Sequence, residues 1–149
     1  MPLPDQPPFA HFLGIKLLSV TPDRVEAELA VREEFKNRGG VMHGGALMAF
    51  ADSLGGTTAH ANLKPGQRTA TIESKTNFFA GIPIGDVARA EAIPLHRGRS
   101  TIVVQTRISR NDGKLAAIVT QTQMVTDAKA LRSGLPPPTT STRAAQPTR

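Results

Sequence analysis

Between Asn37 and Asp52 the chain reads NRGGVMHGGALMAFAD. Its chemically capable groups are the carboxamide of Asn37, the imidazole of His43, the glycine pair Gly44 and Gly45, and the carboxylate of Asp52. From Gly44 to Ala59, Asp52 is the only ionisable residue, and no Lys or Arg lies one helical turn from it. A buried carboxylate costs several kcal/mol unless it is paired or hydrogen-bonded. Ser53 and Thr57 are local hydroxyls that could hold it in a structural role. The glycines suggest a second use. At a helix start the first backbone N–H groups lack intrahelical acceptors, and the dipole favours negative charge. Such an end can hold a developing oxyanion. With a carboxylate to assist water, it suits acyl hydrolysis. His43 has no acid partner nearby, so capping of the helix entry ranks ahead of acid–base work. Asn37 is either a turn residue, a place that Asn favours, or a polar group of the site.

These groups need elements to carry them. PPFAHFLG reads as a short helical turn closed by Gly14. IKLLSV and RVEAELAV flank the turn signal TPD. In the second of them Val25, Ala27, Leu29 and Val31 alternate with polar residues, the period of a half-buried strand. REEFKNRGGVMH is a loop, and a helix runs from Gly44 to about Leu63, ended by KPGQ. RTATIESKTNFFA, DVARAEAIPLH, STIVVQTRISR and LAAIVTQTQMVTD read as four strands, the last two joined by the hairpin signal NDGK. The expected architecture is an α+β domain with one long helix on a curved antiparallel sheet, spanning residues 1–127. Residues 128–149 are expected to be a disordered basic tail rich in Pro, Thr and Ala.

On that helix, at about 100° per residue, Leu47, Phe50, Ala51 and Leu54 share the arc that faces the sheet. Asp52 points away from it. Its side carries Met48, Ala49, Gly55 and Gly56 where a solvated helix would carry Lys and Glu. The second face is therefore expected to be covered by another subunit. A close approach of backbones there would explain two glycines that each cost roughly 1 kcal/mol of helix propensity.

The combined spacing of Asn37, His43-Gly44-Gly45 and Asp52 resembles the signature of hotdog-fold acyl-CoA thioesterases of the phenylacetic-acid-degradation type. The likeness continues through TIESKTNFFAGIPIGD and the hairpin GRSTIVVQTRISRNDGKLAAIVTQTQMV, roughly from Phe9 to Thr126. The resemblance implies a curved sheet wrapped around a central helix. It implies Asp52 as general base on water or as nucleophile, with Gly44 N–H polarising the thioester carbonyl. Asn37 would hold that carbonyl or the water, and Thr71 would help position the water; otherwise Thr71 is an ordinary β-branched strand residue. Gly45 belongs to the same helix entry, and Phe78 or Phe79 would border the acyl group. His96-Arg97-Gly98-Arg99-Ser100 is a basic turn that suits phosphate, and the resemblance places it near the CoA nucleotide; Lys75 would add charge. The other reading of that turn is a solvated basic loop. No cofactor is implied, since CoA is part of the substrate.

Gly44 and Asp52 lie about 12 Å apart along one helix, whereas reacting groups must meet within about 3–3.5 Å. Two antiparallel helices across a dimer would bring them together. A homodimer, paired into a dimer of dimers, is expected, with Asn37 and Gly44 from one subunit and Asp52 from its neighbour.

Composition narrows the partners. The net charge is +6, but Lys129, Arg132, Arg143 and Arg149 carry four of the 18 basic charges; the remainder has 14 basic and 12 acidic residues, a net of +2. With no Trp or Tyr to stack on bases, nucleic acid is not an expected partner. No apolar run approaches the ~18 residues of a membrane span. There is no cysteine, and the four histidines lack metal-ligand spacing. No signal peptide is read, so a cytoplasmic location is expected. The rival functions are a non-enzymatic acyl-CoA sensor, which would not need Asp52 and Asn37, and a hotdog enoyl-CoA hydratase or dehydratase, which would place its His in a different helical context.

Overall fold

The computed structural model describes residues 3–127; the tail expected from residue 128 onward lies outside the described residues. The elements are α1 (Pro8–Leu13), β1 (Ile15–Val20), β2 (Val25–Ala30), a 3-10 turn (Glu33–Phe35), α2 (Gly44–His60), β3 (Gln67–Phe78), β4 (Val87–Arg97), β5 (Thr101–Ser109) and β6 (Leu115–Asp127). Each expected element is present. α2 ends at His60, three residues short of the expected Leu63, because Asn62 turns back to bond the Thr58 carbonyl.

The six strands form one antiparallel sheet in the order β1-β2-β4-β5-β6-β3. β3 does not pair with β4, its successor in the chain; it crosses the sheet to pair along β6 from Gln67↔Asp127 to Phe78↔Ala117. Local alternation sets which face a residue takes, not which strand lies beside which. The segment after β3 returns past the helix entry, where Met42 N–H donates to the Ile82 carbonyl at 2.8 Å and Val41 bridges Pro83. β3 is thereby left at a sheet edge.

α2 contacts all six strands and forms the centre of the core. Leu47, Phe50, Ala51 and Leu54 are buried, as the angular arithmetic requires. Phe50 is fully buried, so truncation to Ala would cost about 3–5 kcal/mol. Facing them are Val25, Ala27 and Leu29 of β2, Ala88, Ala90 and Ala92 of β4, and Val104 and Ile108 of β5. The short side chains on β4 let the sheet close around the helix.

Among the described residues, the opposite face of α2 is largely open. Gly45, Met48, Asp52 and His60 are exposed. Gly55 needs a different explanation from the one expected. A Cβ there would lie 1.7 Å from Gln121 Oε1 of the same chain. The close approach is therefore a buried side chain within the subunit, not a neighbouring backbone. Gly56 has open space beside it.

Candidate active site

The helix entry is built by the chain immediately before it. Asn37 forms an Asx turn, its Oδ1 accepting from Gly39 N–H at 2.8 Å and Val41 N–H at 3.2 Å. Its backbone N–H donates to the Val41 carbonyl, and Gly40 takes the positive φ of 82° that closes the loop. Oδ1 is used by the loop, and Nδ2, with no partner among the described residues, is the donor that Asn37 can offer.

His43 is the helix N-cap, its Nδ1 accepting from Gly45 N–H at 2.9 Å. An accepting Nδ1 means the imidazole proton sits on Nε2. Capping, the role ranked first from sequence, occupies the nitrogen nearest the helix. It also uses Gly45 N–H, leaving Gly44 N–H without an acceptor among the described residues. That free donor stands at the positive end of a 17-residue helix. The Phe78 ring packs beside Gly44; a Cβ there would meet the ring at 3.2 Å. Asn37, Gly44, Leu47, Phe78, Phe79 and Ile82 line one cavity of ≈ 390 Å³.

Asp52 belongs to a different hollow. It lines a groove of ≈ 640 Å³ between α2 and residues 4–10, together with Ser53, Gly56, Thr57 and His60. Ser53 and Thr57 do not hold it: their hydroxyls bond back to the carbonyls of Ala49 and Ser53. Its Oδ1 instead accepts from Gln121 Nε2 at 2.6 Å and from the Thr71 hydroxyl at 3.2 Å. Gln123 Nε2 donates to that same hydroxyl at 2.8 Å. A bulge between Thr71 and Glu73 leaves Ile72 unpaired and sets Thr71 opposite Gln123. No cation pairs with Asp52 among the described residues.

Gln121 and Gln123 were not singled out from sequence. The available signal was their parity: they continue the inward series Ala117, Val119 on β6, and both are buried. A polar residue at an inward position needs a partner.

The basic turn divides. Arg97 is tied to its own fold, bonding Asn62 Oδ1 at 2.8 Å, the Pro22 carbonyl at 3.0 Å and Asp23 at 2.6 Å. Gly98 packs against His96, where a Cβ would come within 2.5 Å of Nε2, and Gly98 N–H closes the turn on Thr101. The Ser100 carbonyl accepts from Val125 N–H. Arg99 is exposed and has no ion-pair partner among the described residues. Lys75 Nζ donates to Asn77 at 2.6 Å. Among the described residues no cluster suits a metal ion and no helix is long and apolar enough to cross a membrane.

One long helix packed against a curved antiparallel sheet of six strands is the architecture of the hotdog-fold thioesterases. A family model of the thioesterase superfamily matches residues 39–117, and the chain belongs to that superfamily. It is 35% identical to a proposed esterase of Saccharolobus solfataricus over 71% of this chain and 74% of that protein. It is 30% identical to the 1,4-dihydroxy-2-naphthoyl-CoA hydrolase of Escherichia coli, covering 70% and 76% of the two chains. Among solved structures it resembles a mutant of the phenylacetic acid degradation protein PaaI from Thermus thermophilus, with a TM-score of 0.73, 25% identity and coverage of 79% and 98%. The chain is thus an enzyme of the thioester-hydrolase kind.

Proposed function

We propose that the protein hydrolyses acyl-CoA thioesters in sites shared between two subunits of a homodimer. The observation that carries this reading is the separation of the groups. Within one chain Asn37 and Gly44 line one cavity and Asp52 another. Eight helical positions, about 12 Å, part Gly44 from Asp52. A second chain is the simplest source of the missing half. Two features support pairing. The twelve-residue edge strand β3 has a neighbouring strand on one side only, and unpaired edges favour strand addition. Among the described residues, Met48 and Asp52 on the outer face of α2 are exposed.

In the combined site, Gly44 N–H and Asn37 Nδ2 polarise the thioester carbonyl. Asp52 of the neighbour takes a proton from water, whose oxygen attacks the carbonyl carbon. The tetrahedral intermediate collapses with cleavage of the C–S bond. The CoA thiolate leaves and recovers the proton, and the acyl group departs as a carboxylic acid. Phe78 and Phe79 border the acyl group beside the oxyanion site. Arg99 at its exposed turn, with Lys75 as a weaker candidate, faces the nucleotide phosphates. The CoA hydrolase among the relatives supports the substrate class.

Hybrid dimers test this. Asn37→Ala and Asp52→Asn homodimers should each be nearly inactive against a panel of acyl-CoAs monitored by thiol release. Co-expressed in equal amounts with different tags, half the dimers are hybrids, and each hybrid holds one intact site. About a quarter of wild-type sites should return. Verified hybrids as inactive as their parents would refute the shared site.

A further inference from the structure

Beneath Asp52, two amides are buried where the core should be apolar. Gln121 is 0% and Gln123 1% exposed. A buried polar group left unpaired costs about 1–3 kcal/mol, so their directions are informative. A carboxylate can only accept, so the Gln121 atom facing Asp52 is the nitrogen. Gln123 likewise donates to the Thr71 oxygen, which frees the Thr71 proton for Asp52. Two donors thus converge on Oδ1, while Oδ2 has no partner among the described residues.

The helix gives way to make this possible. A Cβ on Gly55 would overlap the Gln121 amide, 1.7 Å from Oε1 and 2.7 Å from Cδ. Oε1 therefore lies where the Cα–H of Gly55 points, and it has no conventional hydrogen-bond partner. A Cα–H contact compensates only weakly. One amide oxygen is left nearly unsatisfied so that the nitrogen reaches Asp52.

From this arrangement we infer that Gln121 is a positioning residue for Asp52, that Gly55 is the opening in α2 that admits it, and that Gln123 and Thr71 form a second support. Together they fix Oδ1 and present Oδ2 to the water. The inference rests on Asp52 being the carboxylate that activates water.

Gln121→Met keeps the length and apolar volume but removes the donor. It should lower kcat about ten- to a hundredfold while KM changes less than about twofold, because misplacing a reacting group acts on the chemical step. In an Asp52→Asn background the same change should cost nothing further. A second route does not depend on that variant folding. Gly55→Ala should lower both melting temperature and kcat by displacing the amide. Gly55→Ala with Gln121→Val relieves the overlap, so it should recover the melting temperature but not kcat. A folded Gln121→Met, or the recovered double variant, turning over at the wild-type rate beside an inactive Asp52→Asn would overturn the positioning role alone. An active Asp52→Asn would overturn the reading of Asp52, and the positioning role with it.

Discussion

At the entry of α2 nearly every contact that shapes the site comes from residues 35–45, whereas two turns along Asp52 is held by Thr71 and Gln121, 19 and 69 positions away in sequence. The entry is made mostly of local bonds: an Asx turn, a cap and a free N–H, with the Phe78 ring and the bridges of Val41 and Met42 to Pro83 and Ile82 as its long-range additions. The centre is made of side chains from α2, β3 and β6, each placed by packing. A backbone donor withstands most substitutions, because every residue but proline supplies one. A carboxylate held by two strands depends on all three elements sitting in register.

The largest expected effect falls on the side-chain centre. Asp52→Asn preserves shape and the Oδ1 acceptor but removes the base. Its kcat should fall by about 10²–10⁴, the usual range for a general base, with little change in KM. Near-full turnover in this variant would make Asp52 a structural residue.

The Gly44 donor can be broken only through the backbone. Gly44→Pro deletes the N–H at the first helical position, where proline is tolerated, and His43 already has the extended ψ of 135° that proline requires before it. A loss of about 10²–10³ in kcat with the melting temperature retained is expected for one lost oxyanion donor. Gly44→Ala keeps the N–H and presses on Phe78 through its Cβ, so it is the control. If Pro and Ala variants are equally slow, the Phe78 contact matters and the donor does not.

The smallest effect separates two neighbouring arginines. Arg99→Ala should raise KM for acyl-CoA about two- to fivefold, an effect that shrinks as salt screens phosphate, and leave thioesters lacking the nucleotide unaffected. Arg97→Ala should spare KM and lower the melting temperature by about 2–4 °C, because its partners are Asn62, Pro22 and Asp23. Matching KM shifts in both variants would show that the turn binds substrate as a unit.

The sequence by itself determined what depends on neighbours along the chain. Turn signals between strand-like runs, with alternation in the second of them, located all six strands, Gly44 marked the start of the helix, and the core face Leu47, Phe50, Ala51 and Leu54 followed from helical geometry alone. Cap and turn chemistry around His43 and Asn37 is equally local, since each bond spans four residues or fewer. Tertiary structure decided the rest. The pairing of β3 with β6 rather than β4 is a choice between strands of similar pattern, and no local signal makes it. That choice brings Thr71 opposite Gln123 and both glutamines under Asp52. It turns Gly55 from an expected contact between subunits into a gap for Gln121. Arg97 was chemically as suited to phosphate as Arg99. Only the packing of β4 against the β1–β2 turn and the end of α2 consumed its charge, because an arginine's partners are set by which elements meet.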